Sequence, residues 1–130
     1  MKKLIVKRVK MNYFQLREFD CKCGCGKNNI DPKLVMMLNI VREHCGEPPG
    51  MPLVINSGCR CKVHNEAVGG TPLSSHLTGH AVDIRALTDS TRFKIVVSAL
   101  MHGFSRIGIA KTFIHLDNDT TKQPQVFWLY

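Results

Sequence analysis

Apolar residues recur at Leu34, Leu38, Val41 and Cys45, a spacing of three to four that lines one face of an α-helix. Asp31 stands at the N-cap position before them, and Pro32 suits the first helical turn, where its missing N–H leaves nothing unpaired. Gly46 and the run Pro48-Pro49-Gly50 stop the pattern, so a helix is predicted over 31–45. Leu53-Val54-Ile55-Asn56 reads as a short buried strand, and 62–68 as a short helix closed by Gly69-Gly70. Residues 71–78 are polar with one proline and predict a loop. From Gly79 to Ile84 the period changes to two, with Val82 and Ile84 on one face and Ala81 and Asp83 on the other. A second long helix is predicted over 90–101, with Phe93, Val97 and Leu100 facing inward and Gly103 as its stop. Strands are predicted over 104–109, 112–117 and 126–130. In the middle one Ile114 and Leu116 face the core, which leaves His115 and Asp117 together on the opposite face. The expected fold class is α+β, an antiparallel-rich sheet flanked by helices. A chain of 130 residues is expected to form one domain over 1–130.

One residue in this pattern is hard to explain by packing. Strands are depleted in Asp, and a partly buried carboxylate such as that of Asp83, within Ala-Val-Asp-Ile, needs a cation or several donors. If the strands over 79–84 and 112–117 are neighbours, Asp83 and His115 project from the same side of the sheet. His76, on the preceding loop, then closes a triangle. Two imidazoles and a carboxylate form the N/O donor set of an open zinc site, which keeps its fourth position for water. We therefore take His76, Asp83 and His115 as the metal ligands and Zn2+ as the cofactor. The other histidines read first as ordinary: His44 and His102 end helices, where a cation suits the dipole; His64 reads as a surface residue, with a place lining the cleft as its alternative, and His80 either reaches the site or is exposed.

Composition narrows the partners. Hydrophobic content of 44% and charged content of 22% are those of a soluble globular protein. A net charge of +8 attracts nucleic acid, anionic membrane surfaces and anionic wall polymers alike. Aromatics are only 7% of residues, and the basic residues are spread along the chain after a denser Lys2 to Lys10 start. Nucleic acid is therefore not favoured. The start resembles a signal peptide, but its apolar run Leu4-Ile5-Val6 is shorter than the roughly 7–15 residues such a segment needs. No run approaches the roughly 20 apolar residues of a membrane span. The expectation is a monomer made in the cytoplasm, with any extracellular action depending on another route of release.

The six cysteines fall at 21, 23 and 25, at 59 and 61, and at 45. In a chain of this kind they read first as free thiols, since neither cluster shows cleanly the two-to-four spacing of a zinc knuckle. A structural metal site is the sharper alternative. A competing reading of the whole chain, a basic nucleic-acid-binding protein, would place a zinc on Cys21, Cys23, Cys25 and Cys59.

The run Ser74-Ser75-His76-Leu77-Thr78-Gly79-His80-Ala81-Val82-Asp83 followed by His115 resembles the zinc D-alanyl-D-alanine carboxypeptidase family, whose fold is shared with the hedgehog signalling domain. Phe19-Asp20-Cys21, Asn56-Ser57-Gly58-Cys59-Arg60-Cys61 and His64 to Gly70 are similar to family stretches in the same order. The likeness extends over nearly the whole chain and is nearest to the short, often phage-encoded, cell-wall members. It implies a zinc peptidase acting on peptidoglycan stem peptides, as a D-Ala-D-Ala carboxypeptidase or a related endopeptidase. It assigns the zinc to His76, Asp83 and His115, and gives Arg60 the substrate carbonyl and its developing oxyanion. Ser74 would shape the ligand loop or touch substrate. Many such peptidases carry a carboxylate three residues before the last histidine, where this chain has Thr112. Asp117 is the candidate replacement, as general base or as a partner of His115, with Glu66 a weaker one. Ala110 and Cys59 stand where close relatives have tyrosines, which bears on specificity. The hedgehog likeness also implies an alternative, a catalytically inactive zinc-containing module that binds cell wall or protein.

Overall fold

Helix α1 (Pro32–Glu43) starts where the sequence places it, with the Asp31 carboxylate accepting from the Lys33 N–H. It buries Leu34, Leu38, Asn39 and Val41. The description comes from a computed structural model and covers residues 12–130; the basic start at Lys2 to Lys10 and the run Leu4 to Val6 lie outside the described residues. Two short helices follow the same capping logic. The turn of 3-10 helix at Ser75–Thr78 is capped by Ser74, and α2 (Lys62–Ala67) is capped by the Cys61 sulfur, which accepts from the His64 N–H.

Helix α3 (Asp89–Met101) is capped by Thr88 and buries Ile95, Ser98 and Ala99. The expected inward face of Phe93, Val97 and Leu100 is wrong: Phe93 and Leu100 are exposed. The cause is local. Ser98 donates its hydroxyl to the Val41 carbonyl at 2.9 Å, so the face carrying Ile95, Ser98 and Ala99 is turned inward and Phe93 and Leu100 outward.

The sheet has five strands in the order β1-β2-β4-β3-β5, namely β1 (Ile55–Ser57), β2 (Ala81–Arg85), β3 (Arg106–Ile109), β4 (Phe113–Asp117) and β5 (Val126–Leu129). Its β1–β2, β2–β4 and β3–β4 pairings are antiparallel and β3–β5 is parallel. With helices packed against it, this is the α+β, antiparallel-rich architecture expected from the sequence. One sheet face carries Val82, Ile84, Ile107, Ile114 and Leu116 into a core shared with Phe19, Leu34, Leu38 and Ile95. The register then determines the other face. Ser57 lies opposite Asp83, Asp83 opposite His115, His115 opposite Gly108, and Gly108 opposite Trp128. A single row of residues thus crosses all five strands on the face away from the core.

Candidate metal centre

Asp83 and His115 are direct cross-strand partners in β2 and β4, the adjacency on which the sequence argument depended. The 3-10 turn before β2 brings His76 to them. Its loop is tied down twice, by the Arg60 N–H to the His76 carbonyl at 3.1 Å and by the Ser75 hydroxyl to the Asp119 carboxylate at 2.7 Å. The His76, Asp83 and His115 donor atoms all lie within 4.8 Å of one another, and all three residues are buried.

The hydrogen bonds around the two imidazoles decide which nitrogens face inward. His76 Nδ1 lies 2.7 Å from the Gly58 carbonyl, which can only accept, so this nitrogen carries the proton. His115 Nε2 lies 2.8 Å from Asp117 Oδ2, and there too the ring must donate. The remaining nitrogens, His76 Nε2 and His115 Nδ1, sit 3.2 and 3.0 Å from the same oxygen, Asp83 Oδ1. An ionised carboxylate only accepts. Either both buried rings carry a second proton, or a cation stands among three lone-pair donors. Donors held about 2.0–2.1 Å from a tetrahedral zinc stand about 3.3 Å apart, close to the two distances here. The outer hydrogen bonds are those that orient metal-binding histidines. The donor set therefore fits zinc.

The same contacts set how the groups of the cluster ionise. Burial pushes the Asp83 carboxyl up, but hydrogen bonds from His115 and His76 outweigh it and hold the group well below the usual carboxylate range. Burial works to lower the pKa of His115, yet its contacts with Asp117 and Asp83 raise it. Asp117 is likewise depressed: desolvation is overcome first by the hydrogen bond from His115 and then by charge, including that of Arg106.

The centre opens into a cleft of about 570 Å3 whose lining includes Arg60, Ser74, Lys122, Trp128 and Tyr130. Arg60 donates from Nε to Ser57 Oγ at 3.0 Å, from Nη1 to Asn65 Oδ1 at 3.2 Å and from Nη2 to Asp83 Oδ2 at 3.1 Å. These contacts use three of the five guanidinium N–H groups. Ser74 lines the cleft and its hydroxyl accepts from the His76 N–H at 3.2 Å. Asp117 is 2% exposed. Besides His115, it accepts from Arg106 Nε at 2.8 Å and the Asp119 N–H at 3.2 Å. The other candidates stand apart. Glu66, Thr112 and His64 do not line the cleft. His80 bonds Thr78 and approaches Asp31 at 3.9 Å, and the rings of His44 and His102 lie 4.7 Å apart, tilted by 36°.

Sequence reasoning missed Arg106, Trp128 and Tyr130. Trp128 packs 5.1 Å from the His115 ring and lies across Gly108, where an added Cβ would come within 2.5 Å of the indole nitrogen. Arg106, facing Asp117 across β3 and β4, had a signal: a lone cation in the otherwise apolar run Arg-Ile-Gly-Ile. Trp128 had none, because its place depends on β5 joining β3 in parallel.

Comparison with known proteins adds a family. The family model described as Peptidase M15 matches residues 12–117. No curated protein matches the chain.

Proposed function

The chain belongs to the Peptidase M15 family, and from that premise we propose that it is a zinc peptidase cutting peptidoglycan stem peptides, as a D-Ala-D-Ala carboxypeptidase or a related endopeptidase. The observation that carries this reading is the convergence of His76 Nε2, Asp83 Oδ1 and His115 Nδ1 at a cleft floor, with both outer ring nitrogens already committed. Zinc in such a site polarises a carbonyl and lowers the pKa of water to about 7. His76, Asp83 and His115 hold it.

The remaining roles belong to the chain's own groups. Gly58 and Asp117 fix the two imidazole tautomers. Arg60 keeps two N–H groups beyond its three structural contacts, and these are available to a substrate carbonyl as its charge develops, where a preorganised donor acts most strongly. Trp128 and Tyr130 form an aromatic wall, and Arg60, Arg106 and Lys122 line the cleft with positive charge, suited to a peptide bearing carboxylates. Asp117 acts through His115. A general base works best with a pKa near the working pH, and Asp117 is depressed by partners on both oxygens.

That engagement of Asp117 also supports a second reading, a zinc-holding module that binds wall peptides without cutting them. Among the described residues, the only carboxylates lining the cleft are Asp83 and Asp117. Digestion of purified peptidoglycan by the native chain and by His115→Ala separates the two. New amino termini or free D-alanine from the native chain, absent with the variant, establish the peptidase and identify the bond. Zinc lost with His115 but no cleavage by either protein leaves the binding module. Among the described residues no helix is long and apolar enough to cross a membrane.

A further inference from the structure

A second set of metal-binding atoms lies apart from the cleft. The sulfurs of Cys21, Cys23, Cys25 and Cys61 all fall within 4.8 Å of one another, with Cys21 to Cys23 at 3.5 Å and Cys23 to Cys61 at 3.7 Å. A disulfide requires about 2.05 Å between sulfurs, whereas four thiolates about 2.3 Å from a tetrahedral zinc stand about 3.8 Å apart. The Cys21–Cys23 and Cys23–Cys61 separations are close to that value. The Cys-x-Cys-x-Cys run reaches it by not being extended. Residues two apart on a strand are separated by about 6.6 Å, but Gly24 and Gly26 take positive φ of 86° and 82° and fold the segment back on itself. Backbone N–H groups are aimed at the sulfurs: Cys61 N–H at Cys21 Sγ (3.4 Å), His64 N–H at Cys61 Sγ (3.3 Å) and Lys27 N–H at Cys25 Sγ (3.5 Å). Such donors stabilise the charged form of a sulfur ligand.

We propose that Cys21, Cys23, Cys25 and Cys61 bind a second zinc ion that is structural. Four sulfur ligands close the coordination sphere and leave no position for water or substrate. On binding, each thiol releases its proton to solvent, and the four thiolates with one zinc carry a net charge of −2, beside Lys22, Lys27 and Lys62 in the chain. The set differs from the Cys21, Cys23, Cys25 and Cys59 expected under the nucleic-acid reading. Cys59 is buried beneath the segment that supplies the other three, with its N–H bonded to the Phe19 carbonyl at 2.9 Å and its sulfur 3.7 Å from Asn28 Oδ1. The ion would clamp the 21–25 loop to the first residue before α2, adjacent to Arg60, and so brace the guanidinium that holds Asp83.

The test is zinc content of the reduced full chain, with cobalt(II) exchange as an independent readout. The native chain should hold about two zinc ions, and both Cys23→Ser/Cys25→Ser and His115→Ala should hold about one. Cobalt in the native chain and in His115→Ala should show intense thiolate-to-metal charge-transfer absorption, absent from the double cysteine variant. Zinc content unchanged by Cys23→Ser/Cys25→Ser would overturn the proposal, as would a native cobalt spectrum without that absorption. If the double variant does not fold, the native spectrum decides alone. Loss of zinc only in His115→Ala would leave the cleft reading standing and remove this one.

Discussion

Replacing Asp117 by Asn tests the logic of the centre at one atom. The carboxylate accepts from His115 Nε2 on one oxygen, and from Arg106 Nε and the Asp119 N–H on the other. An amide has one acceptor end and one donor end. Two donors, one of them cationic, compete for its oxygen on the Arg106 side, so the NH2 turns toward His115. Two donors then face each other at about 2.8 Å, which the ring relieves by moving its proton to Nδ1, the nitrogen that faces Asp83 at 3.0 Å. That nitrogen can no longer ligate. Changes to such outer partners weaken metal binding by about 10–100-fold, or about 1.4–2.8 kcal/mol. The assay is competition for zinc against a chromophoric chelator, followed by turnover of a stem peptide at saturating zinc. Asp117→Asn should bind zinc about 10–100-fold more weakly and recover much of its turnover once loaded. Native zinc affinity combined with turnover reduced by about 10²–10⁴ at full loading, the loss typical of a removed base, would refute this reasoning and assign Asp117 to proton transfer.

Other perturbations follow from the same contacts. Arg60→Lys replaces a fork that meets Ser57, Asn65 and Asp83 with one ammonium; turnover should fall by about 10²–10³ with zinc content retained, and unchanged turnover would remove Arg60 from the reaction. Gly108→Ala places a methyl group against the Trp128 indole, so tryptophan fluorescence should shift and peptide KM rise, while far-ultraviolet dichroism stays native; an unmoved spectrum would mean that the wall is not seated on this glycine. Desolvation pushes the Asp119 carboxyl up, but hydrogen bonds from Ser75 and Thr121 bring it down to about 2. A folded pKa below the unfolded value of about 3.9 contributes stability above that value, lost as pH falls toward 2. The stability difference between native and Asp119→Asn chains should therefore shrink between about pH 4 and 2, and a constant difference across that range would contradict the assignment.

The centre was readable because its parts obey local rules. Asp83 breaks the apolar pattern of its strand, alternation places it with His115, and antiparallel neighbours of matching length bring the two together. The helix at 32–43 was equally plain, from its cap and its period. Features that depend on remote partners were not readable. Parity put Asp117 on the face of His115 but gave no sign that Arg106 would occupy its other oxygen. The inward face of α3 was misjudged because a hydroxyl, that of Ser98, finds a carbonyl on α1, which hydrophobic period cannot register. Cys61 rather than Cys59 lies with the loop cysteines because Cys59 is buried against Phe19 and Asn28 while Cys61 turns out of the core to cap α2, a difference set by remote partners.

The row Ser57, Asp83, His115, Gly108 and Trp128 also constrains how this chain can vary in length. Deleting one residue within β2 or β4 would turn Asp83 or His115 into the core and set an aliphatic neighbour in its place. Adding residues at the 110–112 connection leaves the row untouched, whereas the 118–125 connection carries Asp119, which ties down the His76 loop, and Lys122 at the cleft. Insertions should therefore be tolerated at the former and rejected inside the strands. On the proposed zinc reading, metal capture would mark correct refolding, since a sheet paired one step out of register would leave Asp83 and His115 on no common face.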